Sequence, residues 1–218
     1  MYRKRSYPKR SEAPIEKEWI PHTNLGKVVQ EGKIVSLEEI FSQGYRIQEP
    51  EIVDRLLPNI QKEVLDMGIV QKQTDAGENS RFRVIVAVGN EDGYVGVGSG
   101  KVKQIRNAID KATMYAKLKV IPIRRGCGSW ECGCDKPHSL PFKCLGKCGS
   151  VKVELVPGPR GLGIVASEAA TTILKLAGVK DCWSRSFGST NTVSSLAFAV
   201  YDALRNTYGM VTPQEQIR

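Results

Sequence analysis

Residues 93–101 read Gly-Tyr-Val-Gly-Val-Gly-Ser-Gly-Lys and separate a strand-like segment from a helix-like one. In the preceding residues, 82–88, an apolar residue at every second position is typical of a strand with one buried face. The following residues, 105–116, carry apolar side chains at helical spacing. A glycine-rich loop between a strand and the start of a helix points backbone N–H groups and the positive end of the helix dipole toward an anion. The stretch therefore predicts a phosphate-binding loop.

The glycine spacing excludes two nucleotide-binding motifs. A P-loop needs a glycine five residues before Gly100, but Val95 holds that position. It also needs a serine or threonine after Lys101, where the chain has Val102. The dinucleotide fingerprint needs the order G-x-G-x-x-G and an acidic residue about 20 residues later, where this chain is basic. A nucleic-acid backbone remains as the source of phosphate. The structural alternative is that the glycines allow a strand to pack closely on a helix.

The positive charge is concentrated in two segments. Residues 101–125 hold eight Lys/Arg and one acid, Asp110, a local balance of +7, and residues 1–10 add five more positive charges. Because the whole chain carries only +9, all other residues together are at −3. Focused charge of this kind indicates a protein that binds a polyanion.

Length and composition limit the class of protein. The 218 residues are 41% hydrophobic and 25% charged and hold no run of about 18 apolar residues, so we expect one large or two small soluble domains and no membrane partner. The basic residues near the N-terminus lead into no apolar segment, which predicts a basic arm over residues 1–20 rather than a secretory signal. The six cysteines are then expected to be thiols or metal ligands rather than disulfides.

Residues 21–60 are predicted to form a helical N-terminal extension. Thr23, Ser36 and Pro50 are suited to start three short helices, and Gly44 is suited to end the second one. The three helices are amphipathic but sparse in core residues. We therefore expect the extension to pack on something else.

Residues 61–125, with the helix that starts at Pro50, are predicted to form an α-β-β-β-α unit. Its expected elements are strands over residues 63–72, over 82–88 and from 94, a polar loop over 74–80, a helix over 105–116 and an extended connector over 119–125. One face of that helix is predicted to consist of Ile105, Ala108, Ile109, Ala112, Tyr115 and Ala116.

A second unit is predicted over residues 149–210, followed by a polar tail over 211–218. Its expected elements are strands over residues 151–155 and 182–187, a loop over 157–163, and helices over 167–176 and 191–204. The fold class is therefore α+β in two domains, the second with a mostly antiparallel sheet.

A cysteine-rich segment over residues 126–148 separates the two units and holds five of the six cysteines. Its first part has the pattern Cys-x4-Cys-x-Cys-x3-His, which offers four ligands for a structural tetrahedral Zn²⁺ site: Cys127, Cys132, Cys134 and His138. Cys144 and Cys148 form a rival pair, and reduced thiols in a glycine-rich loop are the structural alternative. Cys182 lies in an apolar strand and is expected to be a core residue.

The α-β-β-β-α order, with glycines and lysines before the last helix, resembles the double-stranded-RNA-binding domain, which recognises shape and phosphates. Several motifs make the resemblance more specific: residues 81–89 (RFRVIVAVG), 93–101 (GYVGVGSGK) and 108–112 (AIDKA) in the first unit, and 156–165 (VPGPRGLGIV), 176–179 (LAGV) and 187–191 (FGSTN) in the second. Together they resemble the universal small-subunit ribosomal protein S five family over residues 20–207. The cysteine-bearing segment and the N-terminal helices resemble its archaeal branch.

The resemblance implies a fold and a function. The fold is a double-stranded-RNA-binding-like domain followed by the family's C-terminal α+β domain. The function is that of a non-enzymatic constituent of the small ribosomal subunit, ribosome-bound in the cytoplasm. It implies contact with ribosomal RNA near the decoding centre and the path by which messenger RNA enters, and support of translational accuracy.

The implied partners are ribosomal RNA and ribosomal proteins S four, S three and S eight, with no small-molecule substrate. The residues expected to bind RNA are Arg81, Lys101, Lys103, Arg106, Lys117, Arg124 and Arg125. The accuracy-related protein contact maps onto Arg160, Gly161, Gly163 and Ala170.

Two rival functions remain at this point. The family's second domain shares its fold with some small-molecule kinases, so a kinase using the glycines of residues 158–163 is one alternative, although no phosphate loop or carboxylate pair supports catalysis. The other is a zinc-containing RNA-binding protein that acts outside the ribosome.

Overall fold

The structure is a computed structural model that describes residues 19–134 and 136–209. Within these residues the helices are α1 (Asn24–Gln30), α2 (Leu37–Ser42), α3 (Pro50–Leu56), α4 (Ile105–Leu118), α5 (Glu168–Leu176) and α6 (Val193–Arg205). The strands are β1 (Gln61–Thr74), β2 (Gly77–Gly89), β3 (Tyr94–Val102), β4 (Ile121–Pro122), β5 (Cys144–Cys148), β6 (Val151–Pro157), β7 (Ile164–Val165) and β8 (Cys182–Phe187). None of the helices described here has both the length and the apolar character needed to span a bilayer. The predicted tail lies outside the described residues, as does the predicted basic arm except for residues 19 and 20.

The predicted starts of the N-terminal helices are confirmed. The Thr23 side chain accepts a hydrogen bond from the Gly26 backbone N–H at 3.0 Å, Ser36 caps α2 in the same way, and Pro50 opens α3. Gly44 follows α2 with φ +71°, a left-handed conformation that glycine adopts without a Cβ clash.

The three short helices share one core with α4 and the first sheet of the same chain. Each contributes a few buried residues, such as Val29, Ile40 and Ile52, and these join Val84 and Val86 of β2 in one core. Each helix is poor in apolar residues, but together with α4 they cover one face of the sheet. The partner of the extension is therefore the domain that follows it in the chain.

The first sheet has the order β1-β2-β3-β4 with antiparallel pairing throughout. The polar loop predicted over residues 74–80 is wrong, because β1 and β2 continue to the pair Thr74–Gly77 and form a long hairpin with a two-residue turn. Both faces of the hairpin end are exposed, so polar side chains are compatible with strand structure there. Apolar alternation detects only strands with a buried face.

The loop predicted at residues 93–101 is also wrong, because residues 94–101 belong to β3. A Cβ on Gly96, Gly98 or Gly100 would lie 2.2–2.4 Å from backbone atoms of α4. The glycines therefore let the helix backbone lie directly on the strand, which was the structural alternative.

The helix α4 presents small residues to this strand. Its buried residues are Ala108, Ala112 and Ala116, whereas Ile105 is 38% exposed and Tyr115 is 42% exposed. The wider apolar face predicted for the helix is therefore wrong at these two positions. The close approach leaves room only for methyl groups, and larger side chains are displaced to the edges of the contact.

The second sheet has the order β5-β6-β8-β7, with only β7–β8 parallel. The strands and helices predicted after residue 150 are confirmed, but β5 lies within the predicted cysteine-rich segment. Helices α5 and α6 contribute to one core with residues from both sheets, including Ile85 and Val97 of the first and Val153 and Leu155 of the second. The fold therefore consists of four layers. In order, these are the N-terminal helices with α4, the first sheet, helices α5 and α6, and the second sheet.

The turn over residues 90–93 joins the two sheets' domains through backbone contacts. The N–H of Glu91 donates to the Leu176 carbonyl at 2.9 Å, and the N–H of Gly93 donates to the Ala177 carbonyl at 3.2 Å. Gly178, at φ +78°, ends α5 against the Glu91 carbonyl. This hairpin turn therefore also caps the C-terminus of a helix in the other domain.

Candidate nucleic-acid interface and cysteine–histidine cluster

Exposed basic side chains lie on β2 and β3 and around the start of α4. Arg83 of β2 pairs in register with Lys101 of β3, and Arg81 lies two residues along β2 on the same face. Lys103 and Arg106 flank the start of α4, and all five side chains are exposed. We call these five residues the basic surface. Four of them are among the predicted RNA-binding residues.

Sequence reasoning missed Arg83, although a signal was present. Arg81 and Arg83 occupy alternate positions, and in a strand such residues lie on the same face. Only the pairing of β2 with β3 shows that this face also carries Lys101.

The start of α4 adds to the positive potential of the basic surface. Gln104 occupies the N-cap position, but its side chain makes no capping hydrogen bond to the helix backbone. The first turn of α4 contains no acidic residue. Its N–H groups and the positive end of the helix dipole therefore lie beside Lys103 and Arg106.

The other predicted RNA-binding residues make contacts within the chain. Lys117 is 19% exposed in its side chain and lies 2.6 Å from Asp54 of α3, and Arg125 forms an ion pair with Asp92. The guanidinium of Arg124 lies 5.4 Å from the centre of the Tyr208 ring. These side chains stabilise contacts between elements, and their part in RNA binding stays a prediction.

The β1–β2 hairpin extends beyond the basic surface as an exposed ribbon. Its apolar side chains include Met67, 53% exposed, and Ile69, 62% exposed. Residues 61–83 hold four Lys/Arg and four Asp/Glu, so the ribbon has no net charge. An exposed ribbon with apolar and charged side chains is suited to contact another macromolecule.

The four predicted metal ligands converge in space. The Sγ atoms of Cys132 and Cys134 are 3.3 Å apart, Cys134 Sγ is 3.7 Å from Cys127 Sγ, and Cys132 Sγ is 3.7 Å from His138 Nε2. All four donor atoms lie within 4.8 Å of one another. A tetrahedral ion with Zn–S bonds of about 2.3 Å places its sulfurs about 3.8 Å apart, so the donor set fits zinc.

The thiols of the cluster have unequal proton affinities. The Arg160 backbone N–H, followed by the hydrogen bond with Cys134, lowers the pKa of Cys132 to about 6. Burial raises the pKa of Cys127. A thiolate at Cys132 is the form that binds a metal ion.

A buried carboxylate lies behind the cluster. Asp181 Oδ2 is 2.8 Å from His138 Nδ1, which leaves Nε2 of the same ring directed at the thiols. Burial alone would raise the pKa of Asp181, but hydrogen bonds from Gly163, His138 and Gly161 outweigh it and hold that pKa below its usual range. Sequence reasoning missed Asp181 because it lies 43 residues beyond His138.

The rival cysteine pair is separated from this cluster. Cys144 is buried in β5, where desolvation raises its pKa to about 11, and Cys148 ends the same strand. In the part of the chain that the structure describes, the one group of side chains arranged to hold a metal is the first set. Cys182 is buried in the core, as predicted.

The residues predicted to contact another protein divide into two groups. Arg160 and Gly161 are exposed on the turn between β6 and β7, and Gly161 and Gly163 have φ +89° and +76°. Ala170 is 2% exposed and packs in the core. The surface of this segment is therefore formed by the turn, which we call the Arg160 turn (residues 159–163).

Comparison with known proteins agrees with this two-domain architecture. Residues 60–124 match the family model "Ribosomal protein S5, N-terminal domain", and residues 146–216 match "Ribosomal protein S5, C-terminal domain". The chain is 59% identical over 198 residues to the small ribosomal subunit protein uS5 of Thermofilum pendens, covering 91% of this chain and 98% of that protein. For the protein of the same name from Saccharolobus solfataricus, the identity is 54% over 201 residues, 92% of this chain and 94% of the relative.

These features define a two-domain RNA-binding protein of the ribosome. The chain belongs to the ribosomal protein S five family and is of the archaeal type. It is a structural, non-enzymatic constituent of the small subunit that binds ribosomal RNA and ribosomal proteins. The kinase alternative is therefore wrong. The cysteine–histidine cluster lies in residues that neither family model covers.

Proposed function

We propose that the basic surface binds the sugar–phosphate backbone of small-subunit ribosomal RNA near the decoding centre and the path of incoming messenger RNA, and thereby supports translational accuracy. The observation that carries this is the register of β2 and β3, which brings Arg83 opposite Lys101. Arg83 and Lys101, distant in sequence, thus lie side by side on one face of the sheet. Such a face recognises phosphates and helix shape rather than base sequence.

The experiment that tests this proposal measures the salt dependence of RNA binding. The full chain is titrated with a small-subunit ribosomal RNA fragment at several salt concentrations, alongside the double variant Lys101→Ala/Lys103→Ala. Each lost phosphate contact reduces the slope of log affinity against log salt by about 0.7–0.9. We expect weaker binding and a flatter slope.

A matched control uses two lysines from the other domain. Lys147 and Lys152 are exposed and pair in register across β5 and β6. Lys147→Ala/Lys152→Ala removes the same charge but should leave the slope as it is in the parent. Equal slopes for the parent and the Lys101/Lys103 variant would contradict the proposal.

The proposed protein partners are ribosomal proteins S four, S three and S eight. The Arg160 turn, with its exposed guanidinium and exposed backbone, is proposed as the contact with S four. Trp183 and Phe187 of β8 are exposed as well and offer apolar surface to a second protein.

We further propose that the cysteine–histidine cluster binds one Zn²⁺ as a structural ion. The support is the convergence of four donor atoms of the types zinc prefers and the hydrogen bond from His138 to Asp181, which fixes the ring so that Nε2 faces the thiols. The ion would fix a glycine-rich loop that has few apolar side chains of its own. Native mass spectrometry of the full chain tests this, with one zinc per chain expected in the parent and none in Cys132→Ser.

A further inference from the structure

The cysteine–histidine cluster and the Arg160 turn share one buried carboxylate. Asp181 is 5% exposed and divides its two oxygens between the two sites. Oδ2 is bound to His138 Nδ1 at 2.8 Å, while Oδ1 accepts hydrogen bonds from the N–H groups of Gly161 at 3.1 Å and Gly163 at 2.8 Å. A displacement of the imidazole is therefore transmitted to the turn through a single rigid group.

Backbone contacts strengthen this connection. The N–H groups of Lys180 and Asp181 both donate to the His138 carbonyl, at 2.9 and 3.2 Å. Ser139 donates its hydroxyl to the Asp181 carbonyl and accepts the N–H of Gly158 at 3.2 Å. Ser139, which follows His138, is thus bonded both to the backbone of Asp181 and to Gly158, just before the Arg160 turn.

The carboxylate of Asp181 stands where an outer contact of a metal site is expected. A metal-bound histidine usually donates its other ring N–H to a carboxylate or a backbone carbonyl. His138 and Asp181 have this arrangement, and the N–H groups of Gly161 and Gly163 bind the same carboxylate. The turn is therefore connected to the cluster through Asp181.

The conformation of the turn depends on these acceptors. Gly161 and Gly163 both have positive φ values, and their N–H groups point at the same carboxylate oxygen. Hydrogen bonds to a charged acceptor are about twice as strong as neutral ones. The position of that acceptor in turn depends on His138, whose ring is held at one nitrogen by Asp181 and at the other by any bound metal.

We propose that Asp181 is a positioning residue that couples metal binding at the cysteine–histidine cluster to the conformation of the Arg160 turn. In the metal-bound protein, His138 is held at both nitrogens and the turn is fixed, so Arg160 is presented to a protein partner in one geometry. In the metal-free protein, His138 loses one restraint, Cys132 loses its place in the cluster, and the turn opens more often. This inference rests on the zinc binding proposed above.

The test compares amide hydrogen exchange in the zinc-loaded full chain with exchange in the same protein after chelation. The amides of Gly161 and Gly163 report on the turn, and those of α6 report on the global fold. We expect chelation to speed exchange at the two glycines at least tenfold while exchange in α6 changes less than twofold. No substitution is needed for this comparison, so a misfolded variant cannot cause the result.

Asp181→Asn supplies a second, independent measurement. The asparagine keeps the shape of the side chain but removes its charge, so zinc-loaded Asp181→Asn should show the fast exchange of the chelated parent. By the reciprocity of coupled sites, its zinc affinity should fall by about 10- to 100-fold, as it does when outer contacts of metal sites are removed. Asp202→Asn is the matched control, since Asp202 accepts a backbone N–H from Lys147 far from the cluster, and it should change neither quantity.

Each contrary outcome has its own meaning. If the parent binds one zinc but chelation leaves exchange at Gly161 and Gly163 unchanged, the coupling is wrong and the zinc proposal stands. If chelation also removes the protection of α6, the effect is global and the proposed local coupling is wrong. If the parent binds no zinc, both proposals fail together.

Discussion

A Cβ atom placed on Gly98 of β3 would lie 2.3 Å from the backbone nitrogen of Ala116 on α4. The same Cβ would lie 2.4 Å from the Ala112 carbonyl oxygen, and neither backbone atom can move without displacing the helix. We therefore expect Gly98→Ala to lower the free energy of unfolding by about 3 kcal/mol, at the upper end of the usual range for overpacking. Denaturant unfolding followed by circular dichroism measures this.

The control for this substitution is Gly68→Ala. Gly68 also lies in a strand, but a Cβ there would meet nothing within 4 Å. Its free energy of unfolding should stay within about 0.5 kcal/mol of the parent, as for surface substitutions generally. Similar losses in the two variants would show that the strand–helix contact is looser than described.

The buried carboxylate of Glu49 predicts a pH dependence of stability. Burial alone would raise the pKa of Glu49, but hydrogen bonds from Thr23, Trp19 and His22 outweigh it and lower that pKa below its ordinary value of 4.5. A carboxyl group with a lowered pKa in the folded state stabilises the fold above its unfolded pKa, and this contribution is lost as the pH falls through the folded value. We expect thermal stability to decline below pH 4.5 in part for this reason.

Glu49→Gln checks the assignment. The amide keeps an acceptor but has no charge, so the variant should lose about 1–3 kcal/mol at neutral pH and show a weaker decline of melting temperature below pH 4.5. Glu51→Gln, two residues away and exposed, should behave like the parent. A Glu49→Gln variant with the full acid sensitivity of the parent would assign the decline to other groups.

Serine substitutions at different cysteines distinguish metal binding from core packing. Cys127→Ser should abolish zinc binding, because it removes one of four converging donor atoms, whereas Cys148→Ser should leave one zinc per chain. Cys144→Ser should keep the zinc as well but lower the melting temperature, because it buries a hydroxyl in an apolar site. Native mass spectrometry and thermal unfolding measure the two effects, and loss of zinc in Cys148→Ser would favour the rival pair of ligands.

A side chain at Gly178 is expected to weaken the contact between the two domains. Its φ of +78° disfavours any side chain, and a Cβ there would also lie 2.2 Å from the Glu91 carbonyl oxygen. Gly178→Ala should therefore destabilise the protein by more than the 1–2 kcal/mol typical of the left-handed conformation alone. Gly149, with φ +61° and nothing within 4 Å, is the control that measures this conformational part. Equal losses at the two positions would mean that the turn and the helix end are not tightly joined.

Much of the local structure could be predicted from the sequence. Thr23, Ser36 and Gly44 mark helix ends through hydrogen bonds and backbone angles that depend on a few neighbouring residues. Strand β6 follows from apolar alternation because one of its faces is buried, whereas β5 and β7 were not predicted. The hairpin end of β1 and β2 has no buried face, so its composition did not distinguish it from a loop.

The candidate sites were predicted in part, for a related reason. The candidate ligands Cys127 to His138 are close in sequence, so their spacing alone identified them. Asp181 and Arg83 join their sites only through the packing of distant segments. The glycines of residues 93–101 show the limit most clearly. Their spacing excluded a nucleotide site, but it did not distinguish a loop that faces phosphate from a strand that faces a helix.

The sequence by itself determined the position of the helix ends, the family, the concentration of positive charge and the identity of four potential metal ligands. Each of these depends on residue types and on short-range spacing. The tertiary structure alone decided that Gly96, Gly98 and Gly100 contact α4, that Lys117 pairs with Asp54, and that one carboxylate joins the cysteine–histidine cluster to the Arg160 turn. These contacts join residues far apart in the chain, and which of them form depends on how the layers pack, because burial is a property of the whole fold.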